Sequence, residues 1–132
     1  MASRSTQRSA LMSIRPQFAN AILDGTKTVE FRKKALAEDV QRVVIYTTFP
    51  VQAVVGEFTI ASQVVASPKT LWRRFSKVAG IEREAFFKYF DGSTDAVGIV
   101  IDSVVQYENP RLLNDVEPGA RPPQSFMYIT AA

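Results

Sequence analysis

The segment from Met12 to Lys34 constrains the fold most strongly, because strand, helix and strand patterns follow one another within it. Met12 to Arg15 favour extended backbone, and Pro16 suits the first turn of a helix, where its missing N–H would be unpaired in any case. The next apolar residues share one helical face: Phe18, Ala19, Ile22 and Leu23. Gly25 can adopt the left-handed backbone that closes a helix. The sequence therefore predicts a strand and then a helix that begins at Pro16 and ends before Gly25.

The residues that follow this helix alternate between polar and apolar side chains. Val29 and Phe31 are predicted to face the core, as the two-residue period of a strand requires. The polar residues of the same strand share the opposite face: Thr28, Glu30 and Arg32. A row of charges on a strand is usually a solvated face, and the alternative is a cleft beside the helix. The alternation alone leaves both interpretations open.

The spacing of four residues in this segment is that of a known family. Gly25, Lys27, Glu30 and Arg32 form a Gly-x-Lys-x-x-Glu-x-Arg pattern after a Ser-Ile-Arg-Pro step at residues 13–16. This arrangement resembles the signature of the ASCH domain family, a branch of the PUA-like superfamily of small β-barrels. Three later blocks resemble one subgroup and extend the likeness over residues 11–130: Ser67-Pro68-x-x-Leu71-Trp72, Tyr89-Phe90-x-Gly92 and Pro122-Pro123-Gln124-Ser125-Phe126.

The rest of the chain predicts further strands and helices without a regular alternation of the two. Strands are predicted at residues 42–49 and 53–66, pairing as a hairpin in which Gly56 marks a bend or bulge, and at residues 95–107 and 124–129. Helices are predicted at residues 68–78 and 81–90. This order favours an α+β fold, and the resemblance implies a small PUA-like β-barrel: a twisted, mostly antiparallel sheet with helices covering its ends. Residues 1–10 are predicted to be a flexible polar arm, followed by a single domain over residues 11–132.

Composition excludes several classes of site. The chain has 132 residues, no cysteine and no histidine, so it has no disulfides, no thiolate or imidazole metal ligands and no His-dependent triad. We expect no metal site and no cofactor, and the remaining chemical groups are Lys, Tyr, Ser, Thr and carboxylates. No stretch is apolar enough to span a bilayer, so we expect no membrane partner and a cytoplasmic location.

Positive charge is concentrated in two parts of the chain. Residues 1–42 contain eight Lys or Arg against four acids, and residues 69–88 contain six against two, although the whole chain carries only +3. Basic surfaces of this kind suit a phosphate backbone, and they also occur on proteins that bind no nucleic acid. Charge alone leaves nucleic-acid binding open.

We interpret the chain first as a binding domain for a nucleotide or for single-stranded RNA, including a modified base. The resemblance implies that the first helix and the following strand border a cleft. Lys27 and Arg32 are expected to contact phosphate there, and Glu30 or Gln124 to contact a base edge. The predicted ligand-binding residues are Arg15, Lys27, Thr28, Glu30, Arg32, Gln124, Ser125 and Phe126.

Three alternatives remain open. A ribonuclease, an activity that the resemblance also implies, would draw on Lys27, Glu30, Tyr46 and Ser125, with Arg32 stabilising charge. An N4-acetylcytidine amidohydrolase, known from the same family, fits less well: the position of its nucleophilic threonine is Glu30 here, and Thr28 is out of register. A protein-interaction module is the third alternative, and its distinguishing feature would be an exposed apolar patch.

Overall fold

A single sheet of six strands forms the frame of the protein. The structure is a computed structural model that describes residues 8–130. Its strands are β1 (Arg8–Ile14), β2 (Val29–Arg32), β3 (Val40–Thr47), β4 (Ala53–Ala66), β5 (Ala96–Arg111) and β6 (Phe126–Ile129). Its helices are α1 (Pro16–Asp24), α2 (Pro68–Phe75), α3 (Arg83–Tyr89) and α4 (Leu113–Val116), with a 3₁₀ turn at Ser76–Val78.

The strands lie in the order β2-β5-β4-β3-β1-β6, and every pairing is antiparallel except that of β1 with β3. The α+β class and the β3–β4 hairpin are therefore confirmed. The β4–β5 register shifts beside Gly56, as the sequence predicted for a bend or bulge. A Cβ atom at Gly56 would lie 2.5 Å from the carbonyl oxygen of Val105, so only glycine allows β5 to approach this closely.

Closure of the sheet into a barrel is not confirmed. The edge strands are β2 and β6, and among residues 8–130 no strand pairing joins them. Their proximity is instead maintained by one side chain: Arg32 on β2 donates to the carbonyl oxygen of Ser13 at 2.9 Å and to Oγ of Ser125 at 3.1 Å. The sheet is thus open, with a side-chain bridge where a barrel would have a backbone ladder.

The helices cover apolar clusters on the sheet. Ile22 of α1 packs with core residues of β1, β3 and β5. Phe86 of α3 lies against Phe31 of β2, with ring centroids 4.8 Å apart in an edge-to-face arrangement. The aromatic residues of the second predicted helix therefore serve as core packing: Phe86, Phe87 and Phe90. Their cluster fixes α3 beside the polar face of β2.

The boundaries at the chain ends differ from the prediction. Residues 1–7 of the predicted flexible arm lie outside the described residues, but residues 8–10 belong to β1 and pair with β3 and, from Ser9 onward, with β6. The sequence did not predict this part of the strand because its residues are polar. Arg8 lies at the surface, where its guanidinium forms an ion pair with Asp39 at 2.9 Å. Between the strands predicted at residues 95–107 and 124–129, β5 continues to Arg111 and α4 follows it.

No helix in the described range 8–130 is long and apolar enough to cross a membrane. Within the same range, no group of three or more acidic side chains is arranged to hold a metal ion.

Candidate functional site

A cleft of about 610 Å³ opens between the start of α1, strand β2, helix α3 and the segment that precedes β6. Its polar walls come from residues far apart in sequence: Ser13, Arg15, Lys27, Glu30, Arg32, Thr48, Lys88, Gln124 and Ser125. The local chain directions explain this convergence. Gly25, with φ of +88°, ends α1 and turns the chain back into β2, so that Lys27 and Glu30 approach the residue before the helix, Arg15.

Lys27 lies at the floor of the cleft and is only 3% exposed. Its ammonium donates to the carbonyl oxygen of Ala79, and it lies 5.0 Å from the ring centroid of Phe31 and 5.4 Å from that of Phe18. Burial lowers the pKa of this ammonium from its ordinary value, and the neighbouring Glu30 carboxylate opposes that shift without cancelling it. At a given pH, a larger fraction of Lys27 is therefore in the neutral amine form than of an exposed lysine.

Glu30 is buried between two cations. Its Oε1 lies 3.7 Å from Nζ of Lys27, and its Oε2 accepts two N–H groups of Arg32 at 3.0 Å and 2.8 Å. Both carboxylate oxygens are thus occupied. Glu30 acts on the cleft mainly by holding Lys27 and Arg32 in place.

Arg32 joins the three parts of the site. Besides Glu30, its guanidinium binds the carbonyl oxygen of Ser13 and the hydroxyl of Ser125. Because that hydroxyl accepts from Arg32, its own proton is directed elsewhere, and a ligand oxygen could receive it. Gln124 lies next to Ser125 on the exposed rim of the cleft.

The cleft carries excess positive charge. Four basic residues, Arg15, Lys27, Arg32 and Lys88, line it together with a single carboxylate, Glu30. Arg15 and Lys88 are exposed, and within residues 8–130 neither has an ion pair. The guanidinium of Arg15 and the ammonium of Lys88 are therefore available to an anion that enters the cleft.

Two residues of α3 were missed as site residues by the sequence analysis. Lys88 supplies a rim cation, and Tyr89 supplies an aromatic wall that is 40% exposed. Burial of the inner part of the ring raises the pKa of the Tyr89 hydroxyl, although Arg32 opposes the change. Tyr89 belongs to a block that carries the family resemblance, and this was the available signal; its helical position alone suggested only packing.

Three predicted site residues do not line the cleft. Tyr46 is buried in a separate apolar cluster with Leu11 and Leu113, so the catalytic role expected for it has no geometric support. Thr28 uses its backbone to bridge Val78 and Ile101. Phe126, the first residue of β6, packs on the sheet core and on the ring of Tyr128. The six others do line it: Arg15, Lys27, Glu30, Arg32, Gln124 and Ser125.

Comparison with known proteins identifies close relatives over the full described fold. An ASCH domain-containing ribonuclease from Zymomonas mobilis is 31% identical over 126 residues, which cover 93% of this chain and 85% of that protein. The crystal structure of ASCH from Zymomonas mobilis matches with a TM-score of 0.85 at 30% identity, covering 96% of this chain and 89% of that one.

A second relative is a longer protein. The large ribosomal subunit protein uL22 of Ureaplasma parvum is 30% identical over 125 residues, covering 94% of this chain but 40% of its own length. No protein-family model matches the chain.

Proposed function

Because this chain belongs to the ASCH domain family, we propose that its cleft binds single-stranded RNA. The observation that carries the proposal is the pair of unpaired cations, Arg15 and Lys88, on the rim of a cleft whose floor already holds Lys27 and Arg32 against only one carboxylate. A site with this charge balance attracts phosphate, and its affinity falls with added salt as counterions are released.

A phosphate group fits the proposal at the mouth of the cleft. Arg15 supplies charge, Nη1 of Arg32 lies beside Ser125, and the Ser125 hydroxyl supplies a further donor. Since Glu30 is fully engaged by cations, Gln124 is the better of the two predicted readers of a base edge. Single-stranded rather than duplex RNA is the proposed ligand, because an unstacked base can enter a cleft and a paired one cannot.

RNA cleavage is the second candidate function, and one specific observation favours it. Lys27 combines a lowered pKa with a place on the floor of the cleft, so its neutral amine could remove a proton from a ribose 2′-hydroxyl. The 2′-oxygen would then attack phosphorus and the bond from phosphorus to the 5′-oxygen would break, with a proton from water going to the departing 5′-oxygen. Arg32 and Ser125 would stabilise the charge on the phosphate during this step. The similarity to the Zymomonas mobilis protein, which is named a ribonuclease, supports the same candidate.

The other two alternatives have less support. The amidohydrolase would require a nucleophilic threonine at the position that Glu30 occupies here; Thr28 does not line the cleft, and the threonine that does, Thr48, lies on another part of the chain. An interaction module would require a contiguous apolar patch, whereas Phe49 and Leu112 are exposed side chains of a kind common on protein surfaces. We also propose a cytoplasmic location, where single-stranded RNA is available.

Incubation with a short labelled single-stranded RNA, with and without Mg²⁺, tests both candidates. Binding is followed by anisotropy at two salt concentrations, and cleavage is resolved on a gel in parallel. We expect salt-dependent binding of the wild type, and cleavage that Lys27→Met abolishes while binding is retained. Binding without cleavage would remove the ribonuclease candidate; the absence of both would refute the RNA proposal.

A further inference from the structure

A second concavity, here called the α2 groove, adjoins the cleft. It has a volume of about 710 Å³, and Trp72 of α2 and Arg83 of α3 lie in its walls. Phe18, Ile81 and Ala85 line both concavities. Since the two share these residues, only one ridge of side chains separates the floor of the groove from the cleft.

The helix beside this groove carries a line of cations. Lys69, Arg73 and Lys77 recur every four residues along α2 and the 3₁₀ turn, and all three are exposed. Lys69 and Arg73, four residues apart in α2, lie on the same side of the helix, and Lys77 follows in the 3₁₀ turn. No acidic residue occurs between residues 68 and 78. Within the described residues, none of the three forms an ion pair. The described part of the fold therefore presents a basic stripe, and the acidic residue in the walls of the adjoining groove is Glu82.

Trp72 gives the α2 groove an aromatic wall. Its ring is supported from the core by Phe86 at 5.0 Å and Phe87 at 6.1 Å between centroids, yet part of it stays accessible in the groove. A rigidly held indole beside a row of cations is the combination by which proteins hold single strands: bases stack on the ring and the backbone follows the charge.

We propose that the α2 groove and the basic stripe form a second RNA subsite, so that a strand entering the cleft crosses the Phe18–Ile81 ridge and continues along α2. This inference rests on the proposed RNA binding in the cleft and extends it. Lys69, Arg73 and Lys77 contact consecutive phosphates, and Trp72 stacks on a base that leaves the cleft. The ligand class is single-stranded RNA longer than the one or two nucleotides that the cleft itself accommodates.

The test compares two RNA lengths and two sets of variants. A uridine dinucleotide probes the cleft, and an oligouridine of about eight residues probes the cleft and the groove together. The first variant changes Lys69, Arg73 and Lys77 to Gln. The matched control changes three exposed cations that line neither concavity, Lys34, Arg111 and Arg121, to Gln and so removes the same net charge.

We expect the stripe variant to bind the long oligomer on the order of tenfold more weakly than the control does. The slope of log affinity against log salt should fall by about 2, at roughly 0.7 for each lost phosphate contact. Dinucleotide affinity should be equal in the two variants. Because Trp72 is the single tryptophan of the chain, its emission should be quenched by the long oligomer and not by the dinucleotide.

Equal losses in the stripe and control variants, or equal affinities of the wild type for the two RNA lengths, would overturn the second subsite while leaving RNA binding in the cleft intact. No binding of either RNA by the wild type would instead refute the proposed function itself. The two failures are therefore distinguishable in one set of titrations.

Discussion

At the scale of single residues, Lys27 is the most unusual group of the site. It is nearly fully buried, and its neighbours are two aromatic rings, one carbonyl oxygen and one carboxylate. Burial of the ammonium lowers the pKa of Lys27, and the neighbouring Glu30 carboxylate compensates only partly. A buried lysine with a lowered pKa is a candidate for a role in proton transfer.

Lys27→Met is predicted to leave the fold intact and to change its pH dependence. Methionine fills a similar volume, so the free energy of unfolding at neutral pH should change by no more than about 2 kcal/mol. The folded pKa of Lys27 lies below its ordinary value of 10.5, so the unfolded chain binds the proton more readily. Wild-type stability should therefore rise relative to the variant as pH increases through the folded pKa toward 10.5. Urea unfolding at several pH values measures this, and parallel curves would contradict it.

Gly80→Ala is predicted to displace Lys27 without altering the cleft chemically. Gly80 has a φ of +62°, and an added Cβ would lie 2.6 Å from Cβ of Lys27. Gly92→Ala is the matched control, since Gly92 has a φ of +82° and nothing within 4 Å of the added atom. Both changes should cost about 1 kcal/mol of stability from the left-handed backbone. Only Gly80→Ala should also weaken RNA cleavage; equal cleavage by the two variants would argue against a positioned Lys27.

At the scale of secondary-structure elements, the segment from β1 through α1 to β2 follows the sequence prediction closely. Local signals decide it: Pro16 begins the helix, Gly25 ends it, and Val29 and Phe31 alternate into the core. What the local pattern did not indicate is that Arg32 reaches across to Ser125, because that contact joins residues 93 positions apart. The interpretation of the β2 charges as a solvated face is thus wrong for Glu30, which is 6% exposed.

The Arg32 bridge between β2 and the β1–β6 edge should contribute to stability as well as to binding. Arg32→Lys keeps the charge but cannot reproduce the two N–H groups on Glu30 together with the bonds to Ser13 and Ser125. We expect a loss of about 2 kcal/mol in the free energy of unfolding, measured by urea titration. Arg111→Lys, at an exposed position, should lose less than about 0.5 kcal/mol. Equal losses would show that the bridge is not structural.

A second ion pair links β3, β4 and β5 away from the cleft. Glu57 accepts two bonds from Arg42, at 2.9 Å and 2.8 Å, and one from the hydroxyl of Tyr107 at 2.6 Å. The bonds from Arg42 lower the pKa of Glu57 below its ordinary value of 4.5. Its contribution to stability is therefore present above that value and lost as pH falls through the folded pKa.

Glu57→Gln is accordingly predicted to flatten the acid dependence of the thermal midpoint. The thermal midpoint of the wild type should fall further than that of the variant between about pH 6 and pH 3, since only the wild type has the Glu57 carboxylate to protonate there. Glu108→Gln, an exposed position on β5, should retain the wild-type slope. If Glu57→Gln also retained the wild-type slope, the ion pair would be an ordinary surface contact.

At the scale of the whole molecule, the fold class could be predicted and the closure of the sheet could not. Apolar periodicity fixes which segments are strands, but whether the β2 and β6 edges pair depends on distant side chains such as Arg32. Likewise, the sequence identified six of the residues that line the cleft. Tyr46 packs instead in a cluster with Leu113 of α4, a helix that the sequence did not predict, and its catalytic role stays a prediction. The sequence shows which polar and charged residues are present. That they converge on one cleft depends on how α3 and the segment before β6 pack against β2.

The charged residues of the cleft fall into a buried group and an exposed group. A buried Lys27–Glu30–Arg32 cluster holds the walls, and the exposed Arg15 and Lys88 remain for a ligand. This division of roles separates Arg32, whose replacement should cost stability, from Arg15 and Lys88, whose replacement should affect binding alone. Arg15 is the best single probe because it is exposed and, among residues 8–130, has no ion pair.

The most direct measurement is the anisotropy of a labelled single-stranded RNA titrated with wild type, Arg15→Gln and Arg111→Gln at two salt concentrations. We expect Arg15→Gln to weaken binding roughly threefold to tenfold and to reduce the salt dependence of binding by about one phosphate contact. Arg111→Gln should change neither the affinity nor its salt dependence. Both variants should keep the wild-type thermal midpoint. Equal affinities for Arg15→Gln and Arg111→Gln, or no binding by the wild type, would contradict an RNA-binding cleft at this site.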